Sequence, residues 1–318
     1  MASDAYSASG VPVDPKEDHI IRAIARKGHI KAIAINSTAT VREMQRIHNT
    51  SNVVTAALGR FITGSLLVGS NMKNEDDTQT TIIRCNGPIG GMTCVIDSKG
   101  HAKAYALETN VESTYYRPGK LNVSAAVGEG SLTLIRDIGL REPYTGSVEL
   151  VSGEIAEDFT YFLAASEQTP SIVALGVQIG TDGIVSNAGG MMIQIMPNAT
   201  EEDIAYVEGR VDGFPPFTEL MEDFSVAQIL DLFMGYCDPD NKPEEEIYNS
   251  DLLYLDGYPV SYKCNCSRER MSQGLAALGR KDLESLLEDE NGIDAECHFC
   301  DQKYHFTPSD IRDFLDNL

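Results

Sequence analysis

The feature that most limits how this chain can fold is a pair of cysteine pairs near its C-terminus. Cys264-Asn265-Cys266 and Cys297-His298-Phe299-Cys300 stand thirty residues apart. Closely spaced thiolates on two arms of chain can complete the tetrahedral sulfur shell that zinc favours, at about 2.3 Å per Zn–S bond. Cys264, Cys266, Cys297 and Cys300 are therefore the predicted ligands of one Zn2+ per chain. Four unrelated buried thiols would have to fall by chance into two tight pairs within one short segment. His298 and His305 can also ligate zinc, but with four sulfurs at hand they read as hairpin surface residues. A thioredoxin-like use of Cys297 and Cys300 would need the strand-to-helix start that lowers a thiol pKa. Cys297 follows a turn and a short strand instead.

Magnitude says what the metal is for. A core in a segment as small as 263–318 rarely supplies more than about 3–5 kcal/mol. Structural zinc in small domains is worth an apparent ~10–16 kcal/mol near neutral pH. Loss of the metal is therefore expected to unfold this segment.

The rest of the chain sets the context. Its formal charge of -23, from 48 acidic against 25 basic residues, repels phosphate backbones, so nucleic acid is not an expected partner. The acidity peaks between Glu201 and Asp256, where sixteen Asp or Glu face only Arg210 and Lys242. Met1 to Lys16 is small, polar and Pro-containing, without the basic and then apolar regions of a secretory signal. Residues 1–18 are read as a flexible extension. The most apolar run, Phe61 to Gly69, falls short of the roughly 20 residues of a membrane span, so no membrane partner is expected. Seven cysteines without an export signal suggest a reducing, cytoplasmic setting, where thiols serve metal or redox chemistry.

Hydrophobic periodicity divides the chain further. Residues 19–197 mix periods of two and 3.6. Strands are predicted over His29–Ile35, Thr78–Cys85, Gly91–Ile96, Lys103–Leu107, Ser131–Ile135, Ser147–Val151, Ile172–Ile179 and Met191–Met196. Helices are predicted over Ala39–His48, Val53–Val68 and Glu154–Gln168. The strands cluster instead of alternating with helices, so the fold class is α+β with a mixed or largely antiparallel sheet. After Thr200 the strand signal disappears. Thr200 with Asp203, and Ser225 with Gln228, fit the N-cap plus N3 pattern, and Gly235 sits where a helix would end. Phe214-Pro215-Pro216-Phe217 interrupts, and like charges repel. Residues 198–262 are accordingly expected to form a metastable helical linker. In 263–318 the pattern predicts a helix after Cys266, a second through Leu283 and Leu287, a turn at Asn291-Gly292, a hairpin over Cys297–Phe306 and a last helix opened by Thr307-Pro308.

Tyr262-Lys-Cys264-Asn-Cys266-Ser-Arg-Glu-Arg270, followed by Leu278-Gly279, Cys297-His-Phe-Cys300, Tyr304-His-Phe306 and Asp310-Ile311, resembles the C-terminal module of the Hsp33 family. Tyr144-Thr-Gly146, the stretch from Leu150 to Tyr161, Ser166-Glu-Gln-Thr-Pro-Ser171 and Gly189-Gly190 through Met196-Pro197 resemble its N-terminal domain, so the likeness runs from about Ile20 to the end. The resemblance implies a redox-regulated, ATP-independent holdase chaperone and not an enzyme. It implies zinc held by the four cysteines in a quiescent reduced state, and oxidation to Cys264–Cys266 and Cys297–Cys300 disulfides with release of the metal. It further implies an unfolded linker, exposed apolar surface, capture of unfolding client proteins, and a homodimer when active. The rivals are a thiol oxidoreductase using Cys297 and Cys300, which would turn over, and a nucleic-acid-binding zinc ribbon, which the charge opposes.

Several residues have plainer readings. Cys85 and Cys94 lie in predicted strands, where a free cysteine behaves as a small hydrophobe. Cys237 is outside the family motif and reads as an inert thiol. Gly87-Pro-Ile-Gly-Gly91 lacks the Gly-Lys-Ser/Thr of a phosphate loop and is expected to be a turn. Ser152-Gly153-Glu154 is expected to cap the following helix, and Met191–Met196 to be core.

Overall fold

A computed structural model describes residues 17–72, 74–117, 119–235, 252–287, 289 and 291–316. The readings of residues 1–16 and of Cys237 lie outside the described residues. The chain forms two units, 1–262 and 263–318.

The first unit follows from strands that have no polar face. Along β2 (Ile30–Asn36), Ile33 and Ile35 point to one side and Ile30, Ala32 and Ala34 to the other, and all five are buried. A strand buried on both faces must lie inside a sheet covered on both sides. It does: a five-stranded antiparallel sheet has the order β10 (Ser171–Ile179), β11 (Val185–Ile195), β2, β1 (His19–Ala25) and β12 (Leu253–Pro259). A second sheet runs β13 (Ser261–Tyr262), β5 (His101–Ala106), β4 (Gly91–Asp97), β3 (Thr78–Cys85), β8 (Gly130–Asp137), β9 (Tyr144–Glu149), antiparallel except for the short parallel β13–β5 pair. The small hairpin of β6 (Tyr115–Arg117) and β7 (Lys120–Leu121) stands apart from both.

Between the two sheets runs α2 (Asn52–Gly69), packed against β10 and β11 of one and β4 and β5 of the other. By length and composition this helix could cross a membrane, but 89% of it is buried inside the protein, as a core helix is. Gly64 lets it approach α4 (Ala156–Ala165): a Cβ there would stand 2.4 Å from the Phe159 ring. The helices α1 (Thr38–His48) and α3 (Val123–Val127) complete this core.

The opposite face of the five-stranded sheet has a different cover. Helices α5 (Glu201–Val211), α6 (Phe217–Leu220) and α7 (Val226–Phe233) lay Val207, Phe217, Val226, Ile229, Leu230 and Phe233 over Ile30, Ala32, Ala34, Met191 and Ile193. Both capping boxes occur: Thr200 accepts from Asp203 N–H and Ser225 from Gln228 N–H, each answered by the partner side chain. Arg210 ties the two longer helices by donating to the carbonyls of Phe233 (2.8 Å) and Leu232 (2.6 Å) at the end of α7, where a cation is favoured.

The expectation of an all-helical 198–262 needs correction. Its last part is β12 and β13, strands that belong one to each sheet. β12 ends in Pro259 and contains Gly257, residues that propensity places outside strands, but an edge position tolerates both. Its pairing with β1 is pinned by a bidentate ion pair from Arg22 to Asp256. β1 itself was not legible because burial on both faces removes the alternation of polar residues.

A second correction concerns the entry to α4. Ser152 does not cap it. Ile155 occupies the N-cap with φ +73°, and Asp158 in the first turn accepts the N–H groups of Val151 (2.8 Å), Ser152 (3.1 Å), Gly153 (3.3 Å) and Ile155 (2.9 Å).

The second unit comprises α8 (Arg268–Ala276), α9 (Arg280–Leu286), the hairpin β14 (Ile293–Glu296) and β15 (Lys303–Phe306), and α10 (Pro308–Asp316). The hairpin is wider than predicted, so Cys297–Cys300 lies in its turn. Its apolar core is slight: Leu283, Ile311 and Leu315, flanked by Leu286, Leu287, Ile293 and Phe314, with the buried ring of Phe306 6.0 Å from that of Phe314.

Candidate metal centre

Each arm of the centre is held by its own backbone. On the first arm the N–H of Cys266 donates to Cys264 Sγ, after which Ser267 caps α8 by accepting from Arg270 N–H. On the second, Cys297 N–H donates to the Gln302 carbonyl (3.0 Å). The N–H groups of Cys300 (3.2 Å) and Asp301 (2.8 Å) donate back to the Cys297 carbonyl, and the turn closes through Asp301 at φ +57°. The N–H of Gln302 then donates to Cys300 Sγ. The two turns aim their sulfurs at one point.

All four Sγ atoms lie within 4.8 Å of one another. Cys264 and Cys297 approach to 3.7 Å, Cys266 and Cys300 to 3.4 Å. A tetrahedron with Zn–S bonds of about 2.3 Å has edges of about 3.8 Å. The donor set therefore fits a tetrahedral thiolate metal, and these four residues can hold a metal ion. Both of these contacts cross from one arm to the other, as a shell that clamps two arms requires. Neither histidine joins them: His298 is exposed, and His305 donates to Asp294 at 2.8 Å on the hairpin surface.

The thiols do not share protons evenly. Burial pushes Cys264 and Cys300 up. Burial also opposes ionisation of Cys266, but the Tyr304 hydroxyl and the three neighbouring sulfurs outweigh it and bring that thiol below its ordinary value. Its partner Tyr304 is raised to about 12, chiefly by the same hydrogen bond, which spans 3.2 Å. A bound cation favours the thiolate at all four positions. The contact of Tyr304 with Cys266 is what sequence reasoning does not assign: Tyr304 enters there only as part of the Tyr304-His-Phe306 string that resembles the family, with no role at the centre.

The remaining candidates fall outside this centre. Cys94 is fully buried on β4, and desolvation pushes its thiol up to about 12. Half-buried Cys85 ends β3 and is also raised by burial. Neither is a member of the four-cysteine group. Gly87–Gly91 is the turn between β3 and β4, with Gly87 N–H donating to the Val127 carbonyl. Met191 and Met192 are buried, one on each face of β11.

Comparison with known proteins decides the family. The model of the Hsp33 protein family matches residues 18–307. The chain belongs to the Hsp33 family. Among Hsp33 relatives, the 33 kDa chaperonin of Lachnoclostridium phytofermentans is 42% identical over 298 residues, covering 94% of this chain and 98% of that one. The 33 kDa chaperonin of Clostridioides difficile is 42% identical over 303 residues, covering 95% and 99%. The crystal structure of the 33 kDa chaperonin (heat shock protein 33 homolog) of Thermotoga maritima superposes with a TM-score of 0.82 at 28% identity, over 95% of this chain and 98% of that one. The α+β architecture expected from the clustering of predicted strands is the one observed.

Proposed function

We propose that this Hsp33 chain is an ATP-independent holdase whose apolar sheet face is gated by the redox state of Cys264, Cys266, Cys297 and Cys300. The observation that carries the reading is the convergence of four sulfurs in a unit with very little core of its own. When bound to these four residues, zinc would supply the crosslink that holds the unit folded, worth about 10–16 kcal/mol by analogy with other small zinc domains.

The chain's own residues perform the switch. Two cysteine thiolates give up two electrons to a peroxide and join in a disulfide, while the peroxide takes up two protons from solvent and becomes two waters. Repeated for the second pair, this removes all four anionic donors. By family likeness the pairs are Cys264–Cys266 and Cys297–Cys300. A Cys-x-Cys disulfide closes a tight ring and should be readily reduced, as a reversible sensor requires. The unit then keeps only its few apolar contacts and unfolds.

The consequence reaches 198–262, which runs from α5 through β13 directly into Cys264. Once helices α5 to α7 lift, Ile30, Ala32, Ala34, Met191 and Ile193 face water, a contiguous apolar surface of the kind that binds other proteins. Unfolding clients are the partners this surface suits, with homodimerisation of the open form. The placement of Cys297 and Cys300 in a hairpin turn, with no helix starting between them, disfavours thiol-disulfide turnover.

The test couples two readouts in one sample. Peroxide with mild heat is expected to release one zinc per chain and to make the protein suppress aggregation of a thermally unfolding test protein at near-equal stoichiometry. Suppression by the reduced, zinc-bound form, or catalytic turnover of disulfide substrates, would count against the proposal.

A further inference from the structure

The side-chain partners that Arg26 and His29 have among the described residues all belong to the cover, and none to the sheet that carries them. The turn between β1 and β2 reads Arg26-Lys27-Gly28-His29. Arg26 donates through Nε to Asp203 and through Nη2 to Glu202 at 3.3 Å, and its guanidinium lies 4.7 Å from the centre of the Tyr206 ring. His29 Nδ1 donates to Asp203 at 2.7 Å. Glu202, Asp203 and Tyr206 all stand on α5. The turn presents these donors with Arg26 and Lys27 both in the left-handed region, at φ +50° and +58°, a costly conformation for two consecutive residues with side chains. Directly after His29 comes Ile30, the first buried residue of β2 on the covered face. The folded cover thus shows what this face accepts: an acidic first helical turn seated on a cationic loop, then apolar residues laid along the strip. Helices in general favour negative charge in their first turn.

From this geometry we infer that Arg26 and His29 select, among unfolding clients, amphipathic helical segments whose first turn is acidic, α5 being the chain's own stand-in for such a segment. The inference rests on the holdase reading above and names its substrate class. With α5 lifted, both donors face water at one end of the apolar strip. A client segment that brings a carboxylate there replaces Asp203 and lays its apolar side over Ile30, Ala32, Ala34, Met191 and Ile193. A neutral first turn leaves the guanidinium without its acceptor. The attraction is local to this turn, because a net charge of -23 makes the chain as a whole repel acidic segments.

The experiment uses full-length, peroxide-oxidised protein and two fluorescent synthetic peptides of residues 198–235, one as in this chain and one carrying Glu201→Gln, Glu202→Gln and Asp203→Asn. Affinities are read by anisotropy. The tethered cover competes with both peptides alike and leaves their ratio unchanged. Wild type is expected to bind the acidic peptide about tenfold tighter than the neutral one, within what charge-assisted hydrogen bonds command, and the Arg26→Gln/His29→Gln variant to bind the two within about twofold. Equal affinities on wild type, or a preference that survives in the variant, overturns the inference. Should the variant not fold, wild type decides alone: the preference is expected to shrink as salt rises from about 0.05 to about 0.5 M, and an unchanged preference overturns the inference. Peptide expelled as the oxidised protein dimerises would assign the face to a second copy and overturn it too. An oxidised protein that keeps no client from aggregating would instead sink the holdase reading.

Discussion

At residue scale, two carboxylates hold the chain: Asp158 where the sequence pointed to Ser152, and Asp203 at the N3 position expected for it, with further partners that the pattern did not show. Asp158 is fully buried and accepts four backbone N–H groups around Ile155, whose positive φ a branched side chain adopts only under such constraint. Asp158→Ala is expected to cost about 3 kcal/mol in urea unfolding, the scale of leaving several buried donors unmet. Asp203 begins α5 and joins it to the β1–β2 turn. It accepts from Arg26 Nε, from His29 Nδ1 (2.7 Å) and from Thr200 N–H (2.9 Å), and the guanidinium beside it holds its carboxyl well below the usual range. A depressed carboxylate stabilises fully above its unfolded value near 4, and the contribution is lost as pH falls from there toward the folded value. Asp203→Asn is therefore expected to lower stability at pH 7 and to lose most of its difference from wild type at the most acidic end of a pH series of melts. A difference independent of pH would contradict the ion-pair account.

At the scale of elements, the helices over the apolar sheet face are the hinge of the proposal. Phe233 is buried against that face and meets Phe214 edge-on at 5.1 Å. Phe233→Ala is expected to cost about 3–5 kcal/mol through the cavity it leaves. It should also raise amide exchange over 226–233 and give the reduced protein partial power to suppress client aggregation; unaltered exchange would refute this. Legibility divides along physical lines here. The capping boxes at Thr200 and Ser225 were readable because a cap is a local bargain between a side chain and N–H groups three residues on. So were the two cysteine pairs, whose chemistry is written in spacing. Strands β12 and β13 were not, because Arg22 and β1 that hold β12 lie over two hundred residues away in sequence. The contact from Tyr304 to Cys266 was hidden for the same reason: hairpin register creates it, and no pattern along the chain records it.

At the scale of the molecule, stability is unequally shared. The first unit has an extensive core on both faces of its five-stranded sheet, while the second has three buried aliphatic side chains in its own cluster. Chelation under reducing conditions is expected to abolish structure in 263–318 and leave the β-sheet signal of 17–235 in place, read as loss of one of two transitions in a thermal melt. The account as a whole claims that the four-sulfur centre governs the cover on the sheet. Hydrogen exchange read by mass spectrometry on reduced zinc-bound and peroxide-oxidised protein tests that claim most directly. The expected result is loss of protection over 201–233 on oxidation, with 52–69 in α2 still protected. Equal protection of 201–233 in the oxidised, zinc-free protein would contradict it.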